Sequence, residues 1–204
     1  MMLPTHAVVG LAVAAPLAVF APDLAPAALA GGLLGGVFPD LDMYAGHRKS
    51  FHYPTVFPIL TLPAAILAVV YPQPVVVGTA FFFAGAGIHC QMDRFGGGLE
   101  LRPWEKTSEK AVYDHVRGRW RRPKRWIPYD GSPHDLALLI AVSLPLLVVL
   151  DGSFRVIVGL AVGIGGVYVG LRRRLAAIAP VVFGYAPGWL TQYVPERYRP
   201  ETDQ

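Results

Sequence analysis

From Pro54 to Ile88 the chain runs for 35 residues without a charged side chain, broken once at Pro72-Gln73-Pro74. Paired helices in a water-soluble domain nearly always keep a polar face, and this segment has no residues to build one. It reads as two apolar helices joined by a tight turn and set in a bilayer.

The same rhythm recurs on both sides. Between Leu3 and Pro22 the only ionisable side chain is His6, and Leu24 to Pro39 carries no charge. Leu136 to Leu150 and Val156 to Leu171 are also uncharged, separated by Asp151-Gly152-Ser153 and Arg155, a turn-like composition. The expected architecture is all-α: a polytopic membrane bundle of helical hairpins with about six spans, 7–22 with 24–38, 54–71 with 74–90, and 135–150 with 154–171. Leu175 to Leu190 is a seventh apolar stretch, interrupted by Pro180, Gly184, Pro187 and Gly188; a re-entrant or interfacial segment is as natural there as a span. Sixteen helical residues cover roughly 24 Å against a hydrocarbon core of about 30 Å, so the spans are short. The chain divides into a four-helix half over 1–105, a basic loop over 106–133, and a C-terminal hairpin, apolar segment and short polar tail over 134–204.

Composition agrees. Hydrophobic residues make up 53% and charged residues 16% of the 204, against about 25% charged in ordinary soluble domains. That excludes a disordered chain, and the single cysteine, Cys90, excludes a disulfide scaffold; Cys90 reads as a small apolar filler. Met1-Met2-Leu3 lacks a basic leader, so the first apolar segment is expected to be kept as a helix.

Ten of the eighteen Lys and Arg residues lie between Arg94 and Arg125, and three more are Arg172, Arg173 and Arg174. Basic loops face the cytoplasm. With two spans between them, the two clusters agree on one side, which predicts a multi-pass cell-membrane protein. Counting back puts loop 39–53 and the start of the first helix on that same side. His6, Asp40, Asp42, His47, His52, His89 and Asp93 then share one membrane face, a grouping reached from topology and charge alone.

Their chemistry is that of metal ligands. His89 and Asp93 stand at i and i+4 near a helix end, with Cβ atoms about 5–6 Å apart on one face, so an imidazole and a carboxylate can share an ion. Such donors suit zinc, with manganese or iron as alternatives. The basic loop holds six positive charges from Arg117 to Arg125, with Trp120 and Trp126 beside them. Nucleic acid would use such a surface, but next to membrane helices, contact with the bilayer and its anionic headgroups is the better account. His134-Asp135 reads as a helix cap.

Thr5-His6 opening an apolar helix, Gly35-Gly36-Val37-Phe38-Pro39-Asp40-Leu41-Asp42, His47-Arg48 with His52, and His89 four residues before Asp93 form an ordered pattern. It resembles the YdjM-like family of membrane-bound, predicted metal-dependent hydrolases, over roughly residues 5 to 105. That family is similar, at a distance, to the zinc-dependent phospholipase C and P1 nuclease group, all-helical enzymes that cleave phosphate esters. The resemblance implies metal-ligand roles for His6, Asp40, His52, His89 and Asp93, holding one to three ions, and weaker roles for Asp42 and His47. Phe51 and Tyr53 depart from the family's Thr and Ser beside the position of His52, and Arg94-Phe95-Gly96-Gly97-Gly98 replaces a Thr- or Ser-containing turn.

The expected function is a membrane-embedded hydrolase that cleaves a phosphate ester, on a phospholipid or another amphiphilic phosphate. A metal here would lower the pKa of bound water from about 15.7 towards 7. Asp42 and His47 are candidates for orienting a ligand or for general acid–base work. Arg48 is a candidate phosphate clamp, or an interfacial arginine. The alternative is a non-enzymatic membrane protein, a metal carrier or scaffold; a carrier would place ionisable groups along mid-span.

Overall fold

The computed structural model describes residues 1–185, 187–191, 194 and 198. The chain is a helical bundle. Helix α1 (Leu3–Ala14) continues after a break at Ala15-Pro16 into the short α2 (Leu17–Phe20), and α3 (Ala25–Val37) runs back and tightens into a 3-10 turn over Phe38–Tyr44. Helices α4 (Val56–Val70) and α5 (Pro74–Phe95) form the second hairpin. Helices α6 (Pro133–Val149) and α7 (Gly152–Gly184) form the third, and α8 (Gly188–Thr191) follows. The expected hairpins are therefore all present as helices. Helix α5 runs past its expected end near 90, and the extra turn carries Asp93.

Among the described residues, three segments are long and apolar enough to cross a membrane: Leu3–Phe20, Pro74–Phe95 and Gly152–Gly184. The partners α3, α4 and α6 have 13, 15 and 17 residues, below the roughly 20 of a full span. Six full-length spans are thus more than these helix lengths supply. The surface is what a bilayer would cover: Leu62 and Val70 on α4, Val148 on α6, and Leu160, Ile164 and Val167 on α7 are all exposed, and exposed apolar faces mark membrane or protein contacts.

One expectation for the C-terminal part needs correction. The seventh apolar stretch is not a separate re-entrant or interfacial segment down to Gly184, because α7 passes unbroken through Arg172-Arg173-Arg174 and contains Pro180. Arginine is a good helix former. Arg172 is also fixed in place: its guanidinium donates to both carboxylate oxygens of Asp130 and to the carbonyl of Leu101, and Tyr168 donates its hydroxyl proton to Asp130 at 2.7 Å. Arg172 and Arg173 both stack on Trp104. The short polar tail expected at the end falls on residues 192–204, of which only Val194 and Tyr198 are described.

Nor is the basic loop irregular throughout. It contains a two-stranded antiparallel hairpin, β1 (Val112–Asp114) with β2 (Arg119–Arg121), in the register Val112 to Arg121 and Asp114 to Arg119. Asp114 anchors it. The carboxylate accepts from Arg121, from the Thr55 hydroxyl and from the backbone N–H of Val116 and Arg117. Burial pushes the Asp114 pKa up, but the Arg121 and Arg117 bonds outweigh it and the net direction is down.

The main core is built from Val8 and Leu11 of α1, Ala28 and Leu29 of α3, Val77 of α5, Leu139 and Leu146 of α6, and Val158 of α7. Helix α3 lies between α1 and α5, and its glycines allow backbone-to-backbone contact on both sides. A Cβ at Gly32 would overlap the Gly10 carbonyl, and one at Gly85 would sit 2.6 Å from the Gly32 carbonyl oxygen. Gly32→Ala is expected to cost about 1–3 kcal/mol by forcing helices apart, read as a fall in Tm of the detergent-solubilised protein. Gly159→Ala on the open face of α7, where nothing lies within 4 Å, should be neutral or raise stability by about 1 kcal/mol. Equal effects at both positions would show that the α1–α3–α5 contact is not tight.

Candidate metal centre

Four chain segments meet at one end of the bundle. The first turn of α1 brings His6, the 3-10 turn after α3 brings Asp40 and Asp42, the loop 45–55 brings His47, Arg48 and His52, and the last turns of α5 bring His89 and Asp93. The start of α1 is pinned by Asp135 at the head of α6. This carboxylate accepts from the Met2 N–H and the Thr5 hydroxyl, each at 2.8 Å, and from the Gly131 N–H. The cap of α6 itself is Ser132, which accepts from the Asp135 N–H. Asp135 is therefore more than a helix cap, the role its sequence position suggested; it ties α1 to α6 immediately beside His6.

Asp40, His52, His89 and Asp93 form a cluster that could hold a metal ion, each offering one donor atom, all within 4.8 Å of one another. His52 Nε2 lies 3.2 Å from Asp93 Oδ2 and 3.8 Å from Asp40 Oδ1. His89 Nε2 lies 3.5 Å from each of the same two oxygens. A tetrahedral ion with bonds of about 2.0–2.1 Å keeps its ligand atoms about 3.3 Å apart, and the four imidazole–carboxylate separations lie near that value.

The tautomers agree with this. His89 Nδ1 lies 2.7 Å from the carbonyl of Gly36, and a carbonyl only accepts, so Nδ1 carries the proton. Nε2 is turned to the cluster, buried and without a hydrogen-bond partner. His52 repeats the arrangement. Its Nδ1 donates to Asp42 Oδ2 at 2.9 Å, and its Nε2 faces the cluster. A ligand histidine whose other nitrogen is held by a carboxylate or carbonyl is the usual environment of a protein-bound metal.

Asp42 organises the loop around itself. Oδ1 accepts from His47 Nδ1 and the Arg48 N–H; Oδ2 accepts from His52 Nδ1 and the N–H groups of Lys49 and Phe51. Gly46, with φ of 99°, and Arg48, with φ of 59°, supply the left-handed turns that aim these donors inward. Burial pushes the Asp42 pKa up, but the bonds from His47, His52 and Phe51 outweigh it and hold the carboxyl well below its ordinary range. The side chain is fully buried with both oxygens committed, so Asp42 orients His52 and is not placed as a base. Asp40 is also held low: burial pushes it up, and the His89 imidazole overrides that.

The remaining expected residues separate by position. His6 stands outside the group of four. Its Nε2 lies 3.1 Å from Asp93 Oδ1, the oxygen turned away from His52, and its ring stacks on His89 at 3.7 Å. The Met1 amine donates to that same oxygen at 2.8 Å. Arg48 is neither an interfacial arginine nor an open clamp. It is buried, with Nε 3.3 Å from Asp93 Oδ2 and NH1 donating to the carbonyls of Gly97 and Ala111. His47, with its side chain 15% exposed, lies 4.0 Å from Asp40 Oδ1 and is the most open of the histidines grouped here. Cys90 is buried against Phe57 and Ala86, in the apolar role expected of it.

Comparison with protein-family models, curated proteins and solved structures gives no match.

Asp42→Asn is expected to weaken divalent-metal affinity about 10–100-fold with the fold retained, measured by chelator competition on the purified protein. His89→Ala should lower metal stoichiometry outright. Unchanged affinity in Asp42→Asn would remove it from the support of His52.

Proposed function

We propose that this protein is a polytopic metal-dependent hydrolase of the cell membrane that cleaves phosphate esters on the cytoplasmic side. The observation that carries this reading is the convergence of His52 Nε2, His89 Nε2, Asp40 Oδ1 and Asp93 Oδ2 at 3.2–3.8 Å, with both imidazoles oriented from behind. The resemblance of residues 5–105 to the YdjM-like family supports the reaction class.

The reading gives Asp40, His52, His89 and Asp93 to one zinc ion, manganese and iron being the other fits to imidazole and carboxylate. His6, with the Met1 amine, holds the far oxygen of Asp93 and so fixes that carboxylate beside the ion. Zinc supplies Lewis acidity and lowers the pKa of bound water to about 7. In the overall reaction a water oxygen joins phosphorus, the ester P–O bond breaks, and the leaving alkoxide takes a proton to give an alcohol and a phosphate. His47, beside Asp40 and open to the cavity, takes and returns the proton. Arg48, with Nε 3.3 Å from Asp93 Oδ2, adds positive charge near the phosphate. The shorter helices α3, α4 and α6 cross a locally thinned bilayer, completing six passes, and the exposed cations of the hairpin loop lie on anionic headgroups.

Detergent-purified protein is expected to contain zinc or manganese and to hydrolyse at least one member of a panel of phosphomonoesters, phosphodiesters and phospholipids. His89→Ala should lose both metal and activity, and His47→Gln should keep metal while kcat falls about 100-fold or more. A fully metal-loaded protein inert on the whole panel would discard the hydrolase reading.

A further inference from the structure

A cavity of about 570 Å³ opens between α1, the end of α3 and α7, within the roughly 300–1,000 Å³ of small-molecule sites. Its two ends differ in chemistry. One end is lined by Asp40, His47 and Arg48, so it reaches the cluster through one of its own four donors. The other runs along α7 past Ile157, Leu160 and Ile164, an i, i+3, i+7 stripe on one helix face. Leu160 and Ile164 are each 59% exposed, so the apolar end reaches the outside of the bundle on a helix long and apolar enough to cross a membrane. A soluble phosphate ester has no use for this end, because burying its polar groups against leucine and isoleucine leaves them without partners. A hydrocarbon chain gains about 0.8 kcal/mol for each methylene it buries there.

We infer that this cavity takes one acyl chain of an anionic phospholipid, drawn laterally from the bilayer along α7, with the headgroup at Asp40, His47 and Arg48. The inference rests on the hydrolase reading for its choice of headgroup, and on the cavity alone for the chain. It specifies a lipid substrate: the chain supplies binding, and the phosphate lies against the cluster because the cavity leads there. The His47 imidazole gives the polar end a group that can bond a phosphate, and the buried Arg48 adds positive charge beside it, while Asp40 would face the phosphate only with a metal ion between them.

The test uses the full-length protein in phosphatidylcholine vesicles containing a phosphatidylglycerol with a diazirine in one acyl chain. Photolabelling should concentrate on Ile157, Leu160 and Ile164. Ala161→Phe, which fills the cavity wall, should reduce that labelling about tenfold, equivalent to about 1.4 kcal/mol, at unchanged metal stoichiometry. Ile164→Trp at the more exposed mouth should do the same if Ala161→Phe does not fold. Labelling spread evenly over α7 and the exposed α4 residues Val69 and Val70, or unaffected by either variant, overturns the inference. This readout needs no turnover, so a protein that labels as expected but hydrolyses nothing separates failure of the hydrolase reading from failure of the cavity assignment. If hydrolysis occurs, phosphatidylglycerol should have a kcat/KM at least about tenfold above glycerol phosphate; equal values would likewise overturn it.

Discussion

The contact on which the centre depends is backbone against backbone. Helix α3 is pressed between α1 and α5 through Gly10, Gly32, Gly36 and Gly85, where a Cβ would collide with a carbonyl or amide of the facing helix. His6 lies four residues before Gly10, Asp40 four residues after Gly36, and His89 four residues after Gly85. Each is about one helical turn from a crossing point, so any side chain at the crossing would move donors relative to one another by a good part of a bond length. The coupling is direct at one place, since Gly36, whose amide nitrogen would lie 3.0 Å from a Cβ at Gly85, also offers the carbonyl that accepts the His89 Nδ1 proton.

With the helices fixed, the electrostatics become restrictive. Asp93 is fully buried yet faces Arg48, His6, His52, His89 and the Met1 amine within 3.5 Å. Asp40 and Asp42 add two more carboxylates, each held in its ionised form by imidazoles. His52 Nε2 and His89 Nε2 both face the two carboxylate oxygens Asp40 Oδ1 and Asp93 Oδ2. Such an arrangement is repulsive unless protons or a cation lie between them. One divalent ion satisfies all four atoms at once, whereas protons must be supplied separately to two imidazoles.

Much of this was legible in the residues, and the remainder was hidden for definite reasons. Charge-free runs and turn dipeptides located the hairpins, and the basic clusters oriented them, which is enough to bring His6, Asp40, His52, His89 and Asp93 to one end. Pairings between distant segments leave no periodic trace. Nothing near Asp135 indicates that it holds Thr5 and Met2, although Ser132 three residues before it is a recognisable capping pattern. Nothing near Asp130 indicates Arg172, so the arginine triplet read as a topological marker alone. The 112–121 hairpin is too short and too charged to stand out from a basic loop. The glycines of α3 were visible, but a glycine in an apolar helix does not say which neighbour it admits.

The distribution of polar groups bears on whether the centre performs chemistry or passes an ion. A carrier needs ionisable or coordinating groups along the depth of the bundle. Among the described residues, the buried polar and charged side chains are Thr5, His6, Asp42, Arg48, His52, His89, Asp93, Asp114, Ser132, Asp135, Ser143 and Arg172. All but Ser143 and Arg172 lie at helix ends or in loops. Arg172 is bound to Asp130 and the Leu101 carbonyl in the loops at the same end of the bundle. Ser143, within α6, has a buried hydroxyl with no hydrogen-bond partner. The mid-depth core of Leu11, Ala28, Leu139 and Val158 is apolar throughout. Among the described residues the buried groups that could coordinate an ion gather at the end of the bundle that holds Asp40, His52, His89 and Asp93, which is the distribution that the proposed hydrolase reading expects and a carrier would not need.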